Sequence, residues 1–389
     1  MDKDVEKTKN KTDYKLKTNK PKKVLFTATV VKTHINVFHL PYLKWFKEHG
    51  YEVHVAAKND FINELCIIPN CDQYYDINFT RFPFSKANIK AYKQLKKLIR
   101  ENNYDIIHCH TPVAGVLTRF AARNSKNTTV IYTAHGFHFF KGNNPVKNFI
   151  FRTIEKYAAK YTDILITINK EDYENALKFK LKENGKVEYV PGVGIDTDVI
   201  KKTKYDRNKF LDDTRIDNNG TTLLLSVGEI NRNKNQEVVI KALAKLPETY
   251  HYILCGIGEN KENLEKIAKE KNVFDRVHFL GFRNDIFSIM KCCDIFVFPS
   301  KREGLPVSVM EAMACGLPCI VSDIRGNHDL VDQKGGYVIK LDNFENDLSD
   351  ILINKKNHFD DMKKYNREKS KMFSLKAILS KMKSIYGLE

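Results

Sequence analysis

DIFVFPSKREGLPVSVMEAMACGLPCIVSD, residues 294–323, changes periodicity several times, and those changes decide the fold. Ile295 to Pro299 is an apolar run of strand length. A polar turn ending in Gly304-Leu305-Pro306 follows, then Val307 to Cys315 with helical spacing, Gly316 as a stop, and a second apolar strand. This strand–loop–helix–strand unit carries Glu303 in its loop and Glu311 about one turn inside its helix. The free amides at the helix start can face an anion. Glu311 lies among Val309, Met310, Ala312 and Met313, where a carboxylate needs a hydrogen-bond donor. Sugar or ribose hydroxyls are good donors, so the unit suits a phosphate and a polyol held together.

The same alternation extends both ways. Upstream come LLLSVGE near Leu223, YHYILCGIG at 250–258 and VHFLGF at 277–282; GGYVI at 335–339 follows. The earlier chain shows VLFTAT (24–29), a helical PYLKWFKEHG, EVHVAA (52–57), YYDI, a basic helix over 85–100 and DIIHCHT (105–111). Then come VIYTAHG (130–136), a helix over 146–161 and DILITIN (163–169). Short apolar strands separated by helices predict parallel βαβ units with both sheet faces covered. The pattern breaks at Val190-Pro191-Gly192-Val193-Gly194, and the polar stretch 203–220 reads as a crossing between domains. The expected fold class is α/β, with two Rossmann-like domains (22–200 and 201–373) facing a central cleft. Ligands of such sheets bind beyond the carboxyl ends of the strands.

Composition limits the function classes. At 389 residues, 42% hydrophobic and 29% charged, the chain has room for two ordinary soluble domains. A formal charge of +17 implies attraction to something anionic: nucleic acid, an acidic membrane surface or phosphorylated ligands. Residues 1–21 are lysine-rich with almost no apolar side chains and read as a disordered tail. The eight cysteines form no CxxC, and Cys109 and Cys255 lie inside strand-like runs, which fits reduced core residues of a cytoplasmic protein. Neither a signal peptide nor an apolar stretch approaching the ~20 residues that span a bilayer is present.

Several residues stand at strand ends. His135 follows an apolar strand in YTAHGFHFF, and His34 follows the first strand in TVVKTHINVFH. Arg232 and Lys234, in VGEINRNKNQEVVIKAL, precede a helix and with its amides make a diphosphate clamp. CGIGEN has too few glycines for a dinucleotide fingerprint, and no GxxxxGK[ST] occurs. Asp196-Thr197-Asp198 follows a PGVG turn, where capping is a better account than metal binding. In the helix SKANIKAYKQLKKLIRE, Lys86, Lys90, Lys93, Lys97 and Arg100 share a face, opposite Ile89, Leu95, Leu98 and Ile99. That arrangement suits a helix covering a sheet beside an anionic membrane.

Glu303-x7-Glu311 in KREGLPVSVMEAMACGLPCIVSD, with Lys234 upstream, FLGFRNDI between them and TAHGFHF in the first half, strongly resembles glycosyltransferase family 4. These are retaining GT-B enzymes that use nucleotide sugars, and the opening TATVVKTHINVFHLPYLKWFKEHGYEVHVAA resembles the exopolysaccharide and capsule branch. The resemblance implies that Glu311 binds the ribose, that Glu303 faces the donor sugar, and that amides around Gly304, Leu305 and Pro306 hold sugar and phosphate oxygens. Lys234 would neutralise the diphosphate and His135 would reach the donor sugar from the other domain. The chain at Phe282-Arg283 would line the base, with His34 on the acceptor side. The family usually shows arginine where Glu229 stands, and Arg232 is the expected substitute. No metal and no cofactor beyond the nucleotide-sugar co-substrate is implied. The acceptor would be a saccharide or polyprenyl-linked saccharide at the inner membrane face, and no nucleic acid is expected. The helical MFSLKAILSKMKSIYGL resembles the terminal GT-B helix that crosses back onto the first domain, here 374–389. A GT-B sugar-nucleotide epimerase and a non-enzymatic basic nucleic-acid binder are the alternatives; the basic residues are spread along the chain and no nucleic-acid motif is present.

Overall fold

The computed structural model describes residues 21–83, 85–355 and 358–387. The tail reading lies outside these residues apart from Pro21, as do the last two positions of the terminal helix. The first sheet comprises β1 (Lys23–Val30), β2 (Glu52–Lys58), β3 (Gln73–Asp76), β4 (Ile106–His110), β5 (Thr129–Ala134), β6 (Ile164–Thr167) and β7 (Lys186–Tyr189), in the order β3-β2-β1-β4-β5-β6-β7. The second comprises β8 (Thr222–Val227), β9 (Tyr250–Cys255), β10 (Val277–Gly281), β11 (Ile295–Phe298), β12 (Cys319–Ser322) and β13 (Gly336–Ile339), in the order β10-β9-β8-β11-β12-β13. Every strand pair is parallel. This is the α/β pair of Rossmann-like domains expected of a GT-B fold.

Burial explains the apolar runs. All residues of β4, β11 and β12 are buried, because central parallel strands carry helices on both faces, whereas the edge strands β3 and β7 stay partly exposed. Alternate residues of β1 feed opposite cores. Leu25 joins Leu95, Leu98 and Ile99 of the basic helix, while Val24 and Phe26 join Phe46, Ile378 and Met382. Ile89, placed by its spacing on the apolar side, is 60% exposed instead, because Asn88 and Ala91 take the buried face at that end of the helix.

The chain crosses between domains twice, and the crossings touch. Ile195 N donates to Phe373 O at 2.9 Å and Leu375 N to Ile195 O at 2.8 Å. Gly194 has φ +89°, and a Cβ there would lie 2.9 Å from Leu375 Cα, so only glycine fits. The helix Leu375–Tyr386 then returns to the first domain, where Tyr386 Oη meets His108 Nδ1 at 2.8 Å. Residues 203–220 contain one unanticipated element, the helix Arg207–Thr214, which buries only Leu211 and so shows little periodicity. Its Arg207 grips Asp294 at 3.1 and 3.0 Å, and Asp294 Oδ2 also accepts from Leu223 N at 2.8 Å. Asp196 caps the helix Thr197–Lys202 through Val199 N at 2.9 Å, as its position implied.

Replacing Ile378, which is 1% exposed and joins the crossing helix to Val24 and Phe26 of β1 in one core, is expected to destabilise the first domain. Ile378→Ala should cost about 2–5 kcal/mol in urea unfolding; an unchanged midpoint would mean that the helix contributes no core.

Candidate active site

In both sheets the strand order reverses beside the first strand, between β1 and β4 and between β8 and β11, which opens a crevice at the carboxyl ends. The two crevices face each other through backbone. A Cβ on Gly304 would sit 2.0 Å from His135 O, and one on Gly326 would sit 2.3 Å from Gly304 O. Glycine is therefore required where the loops after β5, β11 and β12 meet. Arg325 fastens the contact. Its Nη1 donates to Asp172 Oδ1 at 2.8 Å and Phe137 O at 3.0 Å, and its Nε donates to Glu303 O at 3.2 Å. Asp172 Oδ2 accepts from Phe137 N at 2.9 Å and Asn169 Nδ2 at 2.8 Å. Burial pushes the Asp172 carboxyl up while Arg325 pulls it down. Neither residue stood out in the sequence, because their partners are far apart along the chain.

A polar cavity of about 290 Å³ lies at this junction, walled by His135, His138, Asn233, Arg302, Glu303 and Arg325 among others. Lys234 Nζ donates to Glu303 Oε1 at 2.7 Å and sits 4.8 Å from the Phe298 ring centre. The lysine is aimed by its turn: Asn231 Oδ1 accepts from Asn233 N and Lys234 N, both at 3.0 Å. Asn233 Nδ2 donates to Arg302 O at 3.0 Å, joining the turn after β8 to the loop after β11. Leu305 and Pro306 are buried, with Pro306 just ahead of the helix Val307–Cys315.

Other expected residues are more dispersed. Glu311 is half-buried on that helix and has no hydrogen-bond or ion-pair partner among the described residues; burial pushes its carboxyl up to about 7. Arg232 and Glu229 are exposed, and neither lines the cavity; Arg302, which sequence spacing did not single out, does. Arg283 pairs with Asp285 at 2.7 and 2.6 Å beside Phe282, which is 72% exposed. The two glycines of CGIG have a structural explanation: Cβ atoms there would strike Gly228 O at 1.9 Å and Ile230 O at 2.2 Å.

The first-domain wall is built of imidazoles. A single π-helical turn, Val31–Ile35, follows β1 and carries His34, and His39 precedes the helix Leu40–Glu48. His110 ends β4 and His135 follows β5. His34 Nε2 lies 3.2 Å from His39 Nε2, and His110 Nδ1 lies 3.3 Å from His135 Nε2. Burial first, then mutual repulsion, holds His34, His39 and His110 well below the usual range, and burial alone brings His135 down to about 4. The wall is neutral near pH 7. Beside it, Thr111 has φ +62°, a strained conformation for a β-branched residue, held by Thr29 through N at 3.1 Å and Oγ1 at 2.7 Å. His39 and His110 join the site only through tertiary placement.

A family model described as Glycosyl transferases group 1 matches residues 208–369, and one described as Glycosyl transferase 4-like matches residues 23–169. The chain is 40% identical over 327 residues to the putative glycosyltransferase EpsD of Bacillus subtilis (strain 168), covering 82% of this chain and 84% of that one. It is 31% identical over 274 residues to the UDP-Gal:alpha-D-GlcNAc-diphosphoundecaprenol alpha-1,3-galactosyltransferase of Escherichia coli, covering 68% and 70% respectively. Among solved structures, Anabaena Alr3699/HepE in complex with UDP and glucose matches with a TM-score of 0.76 over 94% of this chain and 99% of that one, at 18% identity. Two facing Rossmann-like domains, a lysine–glutamate pair at their junction and family matches to both halves have one meaning: the chain belongs to the group 1, family 4-like glycosyltransferases and is a GT-B glycosyltransferase.

Proposed function

We propose that the chain is a retaining, metal-independent transferase that moves a sugar from a nucleoside-diphosphate donor, UDP-linked by preference, to a polyprenyl-linked saccharide in surface-polysaccharide synthesis. The observation that carries this is Glu303, paired with Lys234, on the wall of a polar cavity that His135 of the first domain also lines. The named activity of the Escherichia coli relative supports the donor and acceptor classes, and the likeness to the Escherichia coli O-antigen biosynthesis glycosyltransferase WbnH, 26% identical over 92% of this chain, supports the pathway class.

On this reading, breaking the bond between the sugar's anomeric carbon and the phosphate puts negative charge on the leaving diphosphate. Lys234 and the amides at the start of Val307–Cys315 stabilise that charge, so no metal is needed there. Arg302 takes the second cation's role instead of Arg232, because it lines the cavity. Glu303 orients the sugar hydroxyls, and neutral His135 offers one ring nitrogen to the donor sugar near the reacting carbon. The acceptor hydroxyl attacks from the face that the diphosphate leaves, and the leaving phosphate takes its proton; no protein nucleophile is assigned. Glu311 accepts from the ribose hydroxyls, and Phe282 with Arg283 flanks the base. His34 stands on the acceptor side.

The acceptor's lipid fits the outer face of the first domain. Val146, Phe149 and Ile150 on the helix Pro145–Ala159 are 66%, 72% and 45% exposed. An apolar cavity of about 270 Å³ opens beside them, walled by Val113, Val116, Leu117, Phe120, Phe151 and Ile154. The exposed lysines Lys86, Lys90, Lys93 and Lys97 lie on the helix Lys86–Asn102 nearby. Exposed apolar side chains and exposed lysines on helices of one domain suit peripheral binding to an anionic bilayer. No described helix is long and apolar enough to cross a membrane.

Glu303→Ala and Glu311→Ala should each lower transfer at least about tenfold, roughly the value of one good transition-state interaction, with circular dichroism unchanged; near-normal turnover would remove the site. The raised Glu311 pKa also makes stability depend on pH. Between the ordinary carboxyl range and pH 7 the unfolded chain loses this proton while the folded chain keeps it, so folding is penalised as pH rises through that window. Relative to Glu311→Gln, the wild type should lose thermal stability from about pH 5 to about pH 7, and parallel melting curves would contradict this. Flotation at low salt should bring the chain up with vesicles containing anionic lipid and not with neutral ones; equal recovery, or none, argues against the membrane face.

A further inference from the structure

His34, His39, His110 and His135 each offer a ring nitrogen, and these atoms all lie within 4.8 Å of one another. Two of the separations, 3.2 and 3.3 Å, are near the edge of a tetrahedron whose metal–nitrogen bonds are ~2.0–2.1 Å, about 3.3–3.4 Å. They lie at the far end of hydrogen-bond distance, which for N–H···O runs to ~3.2 Å, so the same spacing serves a shared proton or a shared cation. The rings of His39 and His110 also stack at 3.8 Å, which brings the two pairs together. Lone pairs that converge without enough protons between them repel, and a cation at their centre removes that repulsion for all four rings at once.

The chemistry of the donor set is selective. All four ligands are imidazoles with no carboxylate or thiolate among them, which favours Zn²⁺, Co²⁺, Ni²⁺ or Cu²⁺ over Mg²⁺ and Ca²⁺. The strand ends and the π-helical turn fix three of the ring positions. Among the described residues the other ring nitrogens, His39 Nδ1 and His110 Nε2, have no hydrogen-bond partner, so no described acceptor supports these two ligands in the way that tightens structural sites. The ion would therefore exchange rather than stay permanently bound.

We propose that His34, His39, His110 and His135 form an exchangeable site for a transition cation such as Zn²⁺ or Co²⁺, and that an ion there competes with the donor sugar for His135. The competition rests on the role given to His135 above; the binding does not. His135 Nε2 already lies 3.3 Å from His110 Nδ1, and an ion there takes up that nitrogen's lone pair and holds the ring, so it is no longer free to hydrogen-bond a ligand in the cavity it lines.

Full-length, chelator-treated protein titrated with Co²⁺ should bind one ion per chain, with the visible absorption of four-coordinate Co²⁺, lost on adding Zn²⁺ and absent with Mg²⁺. His34→Gln, at a half-buried position, and His39→Gln should each weaken Co²⁺ binding at least about tenfold while thermal unfolding shows a folded chain. No binding by the wild type, or unchanged affinity in both variants, overturns the site. In the transfer assay one equivalent of Zn²⁺ should inhibit the wild type, with chelator restoring the rate; full activity with the ion bound overturns the competition. A chain that binds Co²⁺ but transfers no sugar from any nucleotide sugar would sink the functional reading while upholding the metal site.

Discussion

Gly304 meets His135 with no room for a side-chain atom, and this backbone contact sets the relation between the two domains. Gly326 presses on Gly304 from behind, and Arg325 reaches through the junction to Asp172, Phe137 O and Glu303 O. Losing one partner of a buried ion pair costs about 3–5 kcal/mol, so the junction has a strong energetic preference for one register. The register decides where His135 lies relative to Glu303 and Lys234. The paired crossings at Ile195 and Leu375 tie the domains together a second time.

The two walls of the cleft differ in electrostatic character. The second-domain wall is charged, with Lys234 and Arg302 near Glu303. The first-domain wall is neutral, since burial keeps its imidazoles unprotonated. A phosphorylated ligand is thus drawn to one wall, and the other can hydrogen-bond hydroxyls without adding charge. Desolvation makes each such interaction stronger than it would be in water.

Much of this was readable in the chain because parallel sheets bury both faces. DIFVFPS and PCIVSD could only be interior strands, and Gly316, at φ +86°, ends the helix between them as its position required. The helix Arg207–Thr214 escaped notice because it buries a single residue and is held by an arginine–aspartate pair whose members are 87 positions apart. His39 and His110 escaped for the same reason: their meeting depends on strand order, which local spacing does not encode. Arg302 is one cation among many in a basic chain, and only its place on the cavity wall separates it from Arg232.

The ion pair between Lys234 and Glu303 has a consequence for discrimination. A bare anion that draws the ammonium away from its carboxylate leaves Glu303 facing the cavity uncompensated. A nucleotide sugar brings phosphate oxygens for the lysine and hydroxyl donors for the glutamate in one molecule. On the proposed reading, the pair acts as a two-key lock: inorganic phosphate and free nucleotide each turn one key, and the intact donor turns both.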